Sequence, residues 1–221
     1  MDAVLAVAAA LAATAFTTDL GWRAGNRRRP HLYAYAAGMG MFAVASWALV
    51  AGLVFGWSGA AYRTFFLFGA ILNVPFLALG SMFLVAGKRA GHIMFLVCGA
   101  IAAISVTLTT TVPLAASLPR GGIPSDVFPP PSEFGPRLLA AITGGAGATI
   151  LLGLALGSVF RFWKVNRRLV AGNGLIVAGV LAAASGGSFL AFGEGASFAL
   201  SLLAAVSLIW WGYRVATGHS P

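Results

Sequence analysis

Few residues in this chain have chemistry beyond filling apolar space, and most of those are uncharged. Asn73 stands two residues before Pro75, inside the 24-residue uncharged run Thr64–Gly87. Arg63 precedes that run and Lys88-Arg89 follows it. Proline lacks an N–H and leaves the carbonyl four residues earlier, that of Ile71, without its usual partner. An asparagine there can close the gap, or bond to a neighbouring helix at roughly 0.6–2 kcal/mol. Ser105, Thr107 and Thr149 lie in two other apolar runs. With Asn73 they are the candidate ligand-binding residues, lining a small polar cavity that opens outward. The competing expectation is that these groups only join helices. Hydroxyls are common helix glue, whereas functional sites in membranes usually carry ionisable groups.

The ionisable residues point the same way. Asp19 precedes Arg23 by four residues, the spacing of a local pair on one helix face. His31, His92 and His219 fall at helix boundaries or in the tail, without a histidine four residues away, so no metal site is expected. The one cysteine, Cys98, allows neither an intrachain disulfide nor a Cys-x-x-Cys motif. Retinal attachment needs a lysine within the last span, but the two lysines, Lys88 and Lys164, sit at boundaries. Haem needs histidines at membrane depth, and prenyl transfer needs Asp-rich metal motifs; neither is present. Gly56-Trp57-Ser58-Gly59 has the letters of an intramembrane serine protease motif, yet no histidine on its side can act as the base. No catalytic residue and no cofactor are expected, and an enzyme is the least favoured reading.

These residues need elements to hold them, and composition defines the medium. Hydrophobic residues make up 59% of the 221 and charged residues only 9%. Soluble folds carry about 25% charged residues, so the solvent for most of this chain is lipid. The spacing predicts an all-α bundle of seven transmembrane helices in a single domain, over about 3–20, 32–55, 64–86, 92–113, 138–160, 169–191 and 197–213. The net charge of +9 is broken into short clusters between apolar runs. That pattern excludes the continuous basic face of a nucleic-acid binder. Assigning loops alternately to two sides puts eleven of the 14 basic residues on one of them, which by the positive-inside rule is cytoplasmic. The N-terminus is then outside and the C-terminus cytoplasmic. Arg27, Arg28, Arg29, Lys164, Arg167 and Arg168 are expected to meet anionic lipid head groups at about 1 kcal/mol per charge. Abundant Ala, Gly and Arg suggest a bacterial plasma membrane protein. Trp22, Trp163, Trp210 and Trp211 at one side and Trp57 and Tyr62 at the other fit interfacial belts. Trp47, well inside the second run, is expected to find a partner on another helix.

The one long connection, 114–137, holds Pro119, Pro124, Pro129, Pro130, Pro131 and Pro136 and reads as a semi-rigid outer loop. Gly52 with Gly56 and Gly153 with Gly157 form small-x-x-x-small pairs, expected as grooves where backbones approach. The favoured function is a non-enzymatic polytopic membrane protein that binds a small neutral or lipophilic ligand, or a partner protein, in a sensing or accessory role. The alternative is a transporter or channel for a neutral solute with a broken-helix site at Asn73–Pro75.

Overall fold

A computed structural model describes residues 1–114, 118 and 122–218. Pro119, Arg120, Gly121 and His219 lie outside the described residues. Among the described residues seven helices are long and apolar enough to cross a membrane, and there is no strand. They are α1 (Asp2–Arg27), α2 (Pro30–Phe55), α3 (Gly59–Ala86), α4 (Lys88–Thr111), α5 (Pro136–Phe162), α6 (Arg167–Ala191) and α7 (Gly195–Thr217). Seven such helices suggest an integral membrane protein. Each coincides with one expected run, and most extend past it to take in flanking basic residues. A helix satisfies its own amides, so it can continue to where charged side chains find water.

Local residues set the stops. α1 closes with Arg28 in the left-handed region at φ 47°, and Pro30 sits in the first turn of α2. Gly56 (φ 87°) and Gly87 (φ 89°) end α2 and α3 in a conformation that other residues rarely adopt. The expected Gly52–Gly56 groove therefore divides: Gly52 packs on the Trp57 ring, and Gly56 is a helix stop. The Ser58 hydroxyl oxygen accepts from the Ala61 N–H at 3.1 Å and caps α3, so the Gly56–Gly59 stretch is a stop followed by a start.

The helices close a ring. α1 packs on α2, α2 on α3, α3 on α5, α5 on α6, α6 on α7, and α7 returns to α1. α4 stands outside this ring, mainly against α3. Its Ile93, Phe95, Leu96, Val97 and Ile104 are exposed, as side chains facing lipid would be.

One end of the ring is filled. Ala6, Leu49, Trp57, Tyr62, Phe65 and Phe198 pack there with Val127 and Phe128 of the proline-rich segment. Where it is described, that segment is irregular and folds back over the ring. The Trp57 indole donates to the Gly122 carbonyl at 2.7 Å, and Arg137 pairs with Asp126 at 3.0 Å. Arg63 donates to the Thr109 and Val112 carbonyls at the end of α4. Those carbonyls have no partner within their helix, and hydrogen bonds to a charged group are worth about 1.5–3 kcal/mol. Trp57 and Tyr62 are buried beneath this cover and do not sit in an interfacial belt. Trp22, Trp163 and Trp211, toward the opposite end, are exposed as belt residues are.

Close approach is concentrated between α6 and α7. Gly172, Gly179 and Gly186 face α7 at seven-residue intervals, a repeat that keeps one helix face turned toward its neighbour. A Cβ on Gly212 would meet the Gly172 carbonyl oxygen at 2.6 Å, whereas one on Gly174 would meet nothing within 4 Å. Gly212→Val should therefore lower stability by about 1–3 kcal/mol or more. Gly174→Ala should be neutral or stabilising by up to about 1 kcal/mol. Thermal unfolding in detergent micelles compares the two, and equal losses would contradict this packing.

Candidate functional site

The break that Pro75 makes in α3 is closed by α5. The Thr143 hydroxyl lies 3.1 Å from the Ile71 carbonyl oxygen and 2.8 Å from that of Leu139 in its own helix, sharing its hydrogen between them. One turn on, a Cβ at Gly147 would come within 3.1 Å of the Pro75 nitrogen, so α5 lies directly on the break. From α4, the Cys98 sulfur reaches the Pro75 carbonyl at 3.6 Å. Asn73 does not close the gap, contrary to the sequence expectation. Its side-chain oxygen accepts the N–H of Val74 at 2.6 Å. The reason lies in the preceding backbone, where Phe66–Leu72 is π-helical and the Asn73 N–H bonds five residues back, to the Phe68 carbonyl. A second π-helical turn, Met82–Ala86, ends the helix.

Ser105, Thr107 and Thr149 are not gathered around Asn73. Ser105 is buried and donates to the Ile101 carbonyl at 2.6 Å. Thr107 and Thr149 are exposed, and they donate to Ala103 at 3.0 Å and Gly145 at 2.8 Å. A hydroxyl in an apolar medium commonly spends its hydrogen on its own helix in this way. Thr14 does the same, and its oxygen also accepts the Trp47 indole N–H at 3.1 Å, the partner expected for that residue. Asp19 pairs with Arg23 at 2.7 Å, as its spacing predicts, and also takes the Trp210 indole N–H at 3.4 Å.

The open space lies in the other half of the ring. A cavity of about 710 Å³ is lined by every helix except α4. Typical ligand pockets span roughly 300–1,000 Å³. Its floor is apolar: Phe16, Met39, Leu77, Leu151 and Val180. Above the floor runs a polar girdle of Tyr35, Ser81, Ser158 and Asn173. The Tyr35 and Ser81 hydroxyls hydrogen-bond at 2.9 Å, and the Asn173 amide donates to the Leu169 carbonyl at 2.9 Å. The rim is cationic, with Arg27, Arg29 and Arg161 beside His31. Along α5, Leu151 on the floor and Arg161 on the rim are ten residues apart, a depth of about 15 Å at 1.5 Å per residue. That is half of a hydrocarbon layer of about 30 Å, or one leaflet.

Two further placements differ from expectation. Gly153 and Gly157 line this cavity, and a Cβ on either would meet nothing within 4 Å. They are positions without a side chain that leave the cavity open, and no groove for another helix forms there. Asn73, Ser105, Thr107 and Thr149 do not line it. Sequence reasoning missed the girdle. Asn173, an amide within an apolar run, was its one legible member. Arg28, Lys164, Arg167 and Arg168 are exposed near the same end of the ring but outside the lining.

No protein-family model, curated protein or solved structure matches this chain.

Thr143→Val should remove the Ile71 contact and cost about 1 kcal/mol, within the 0.6–2 range for interhelical bonds in membranes. Thr149→Val, at an exposed hydroxyl bonded only within its helix, should cost less than about 0.5 kcal/mol. Denaturant titration in mild detergent separates them; a Thr149 effect as large as that of Thr143 would argue against the proposed closure.

Proposed function

We propose that this is a non-enzymatic receptor or carrier for a lipophilic small molecule, taken from one leaflet into the cavity at the cationic end of the ring. The cavity is the observation that carries the reading: an apolar floor, a polar girdle and a charged rim within one leaflet's depth. A molecule with a hydrocarbon body and a polar end matches that order of surfaces, and burying it stabilises the complex by about 0.8 kcal/mol per methylene. In this reading the protein lies in a bacterial plasma membrane. Its cationic end faces the cytoplasm, following the excess of basic residues there, and its N-terminus is outside. Arg28, Lys164, Arg167 and Arg168, with the outer faces of Arg27 and Arg29, then contact anionic lipid head groups.

A neutral-solute transporter is less well supported. Its broken-helix site would be Asn73–Pro75, yet Thr143, Gly147 and Cys98 crowd that break. The cavity approaches it no closer along α3 than Leu77.

Native mass spectrometry and solvent extraction of protein purified in mild detergent test the reading. A hydrophobic adduct should be retained by the wild type. Gly157→Leu, which puts a side chain into open space on a helix, should lose it at least about tenfold while unfolding no more easily, because Leu favours a helix over Gly. No adduct in any mild detergent, together with solute flux in liposomes, would sink it.

A further inference from the structure

Resting on that lipophilic-ligand reading, we infer that the occupant is a single-chain anionic amphiphile, a long-chain fatty acid whose carboxylate lies at Arg27, Arg29 and Arg161. The first support is charge. The two ion pairs among the described residues are Arg23–Asp19 and Arg137–Asp126, and neither involves a rim arginine. Asp19, the carboxylate on α1 nearest this end, is already engaged by Arg23 and Trp210. Three exposed arginines thus line the mouth of an apolar cavity, and none of them belongs to either of those pairs. A carboxylate accepts the planar fork of an arginine through two parallel hydrogen bonds, and such charge-assisted pairs are roughly twice as strong as neutral ones.

The second support is size. At about 30 Å³ for each water-sized unit, the cavity has room for on the order of 20 heavy atoms. A fatty acid of about 18 carbons has that many atoms, whereas a two-chain phospholipid has far more. Depth gives the third support. The chain would run from the rim past Tyr35 and Ser81 to the floor at Phe16 and Leu77, and so would stay within one leaflet. The open flank at Gly153 and Gly157 provides the width that a bent chain needs.

The test uses the full protein in nanodiscs of zwitterionic lipid, with oleate and oleyl alcohol as probes of equal chain and different head. Oleate should bind at least about tenfold more tightly than oleyl alcohol, and less tightly as salt rises. Arg161→Gln and Arg29→Gln should each weaken oleate about tenfold and leave oleyl alcohol unchanged. Gly157→Leu should remove both. Equal binding of the two probes, unaffected by the arginine variants, would overturn the carboxylate assignment and leave the lipophilic cavity standing. Tighter, arginine-dependent binding of a lysophosphatidate would overturn the fatty acid in favour of a phosphate. Binding of neither probe would overturn this inference and the reading on which it rests.

Discussion

Seven helices this apolar suggest a hydrocarbon surrounding, which offers no hydrogen-bond partner, and the polar contacts of this molecule follow the constraint such a medium sets. An unsatisfied polar group in such a medium costs several kcal/mol, whereas a bond made between two helices gains only about 0.6–2. Avoiding the loss therefore matters more than collecting the gain. Hydroxyls turn back onto their own helices, as at Ser105, Thr107 and Thr149. In three places where a side chain or terminus has no local answer, a neighbouring element supplies it. Thr143 answers the carbonyl that Pro75 releases, Thr14 the indole of Trp47, and Arg63 the last carbonyls of α4. These three contacts join α5 to α3, α2 to α1 and α3 to α4.

Glycine serves opposite ends in adjacent helices. In α6 it removes side chains so that α7 can press in, with the Gly172 and Gly212 backbones almost touching. In α5 it removes side chains and nothing presses in, so Gly153 and Gly157 border the cavity. The ring is thus closed tightly along one seam and kept roomy beside it. The same residue type cannot be assigned one role from its spacing alone.

That ambiguity marks how far the sequence could be read. All seven long apolar helices were legible, because charges and short turns interrupt otherwise apolar runs. The local Asp19–Arg23 pair and the need of Trp47 for a partner were legible too, since both follow from the chemistry of single residues. The ring was not. A helix face that meets lipid and one that meets a helix are both apolar, so nothing in Lys88–Thr111 announces that α4 stays outside. The burial of Trp57 and Tyr62 depends on Val127 and Phe128, far along the chain. The freed Ile71 carbonyl was visible from Pro75, but its partner lies 72 residues away on a helix that only tertiary packing brings near. The cavity escaped notice because its polar members come from all six helices that line it, each contributing one or two.

The proline-rich cover has a further consequence. Phe128 and Val127 stopper the ring at one extremity, and the lining of the hollow at the other shares no residue with that stopper. On the proposed reading, a molecule that enters at the cationic end meets this stopper at the other, so it is held or presented there without being passed across.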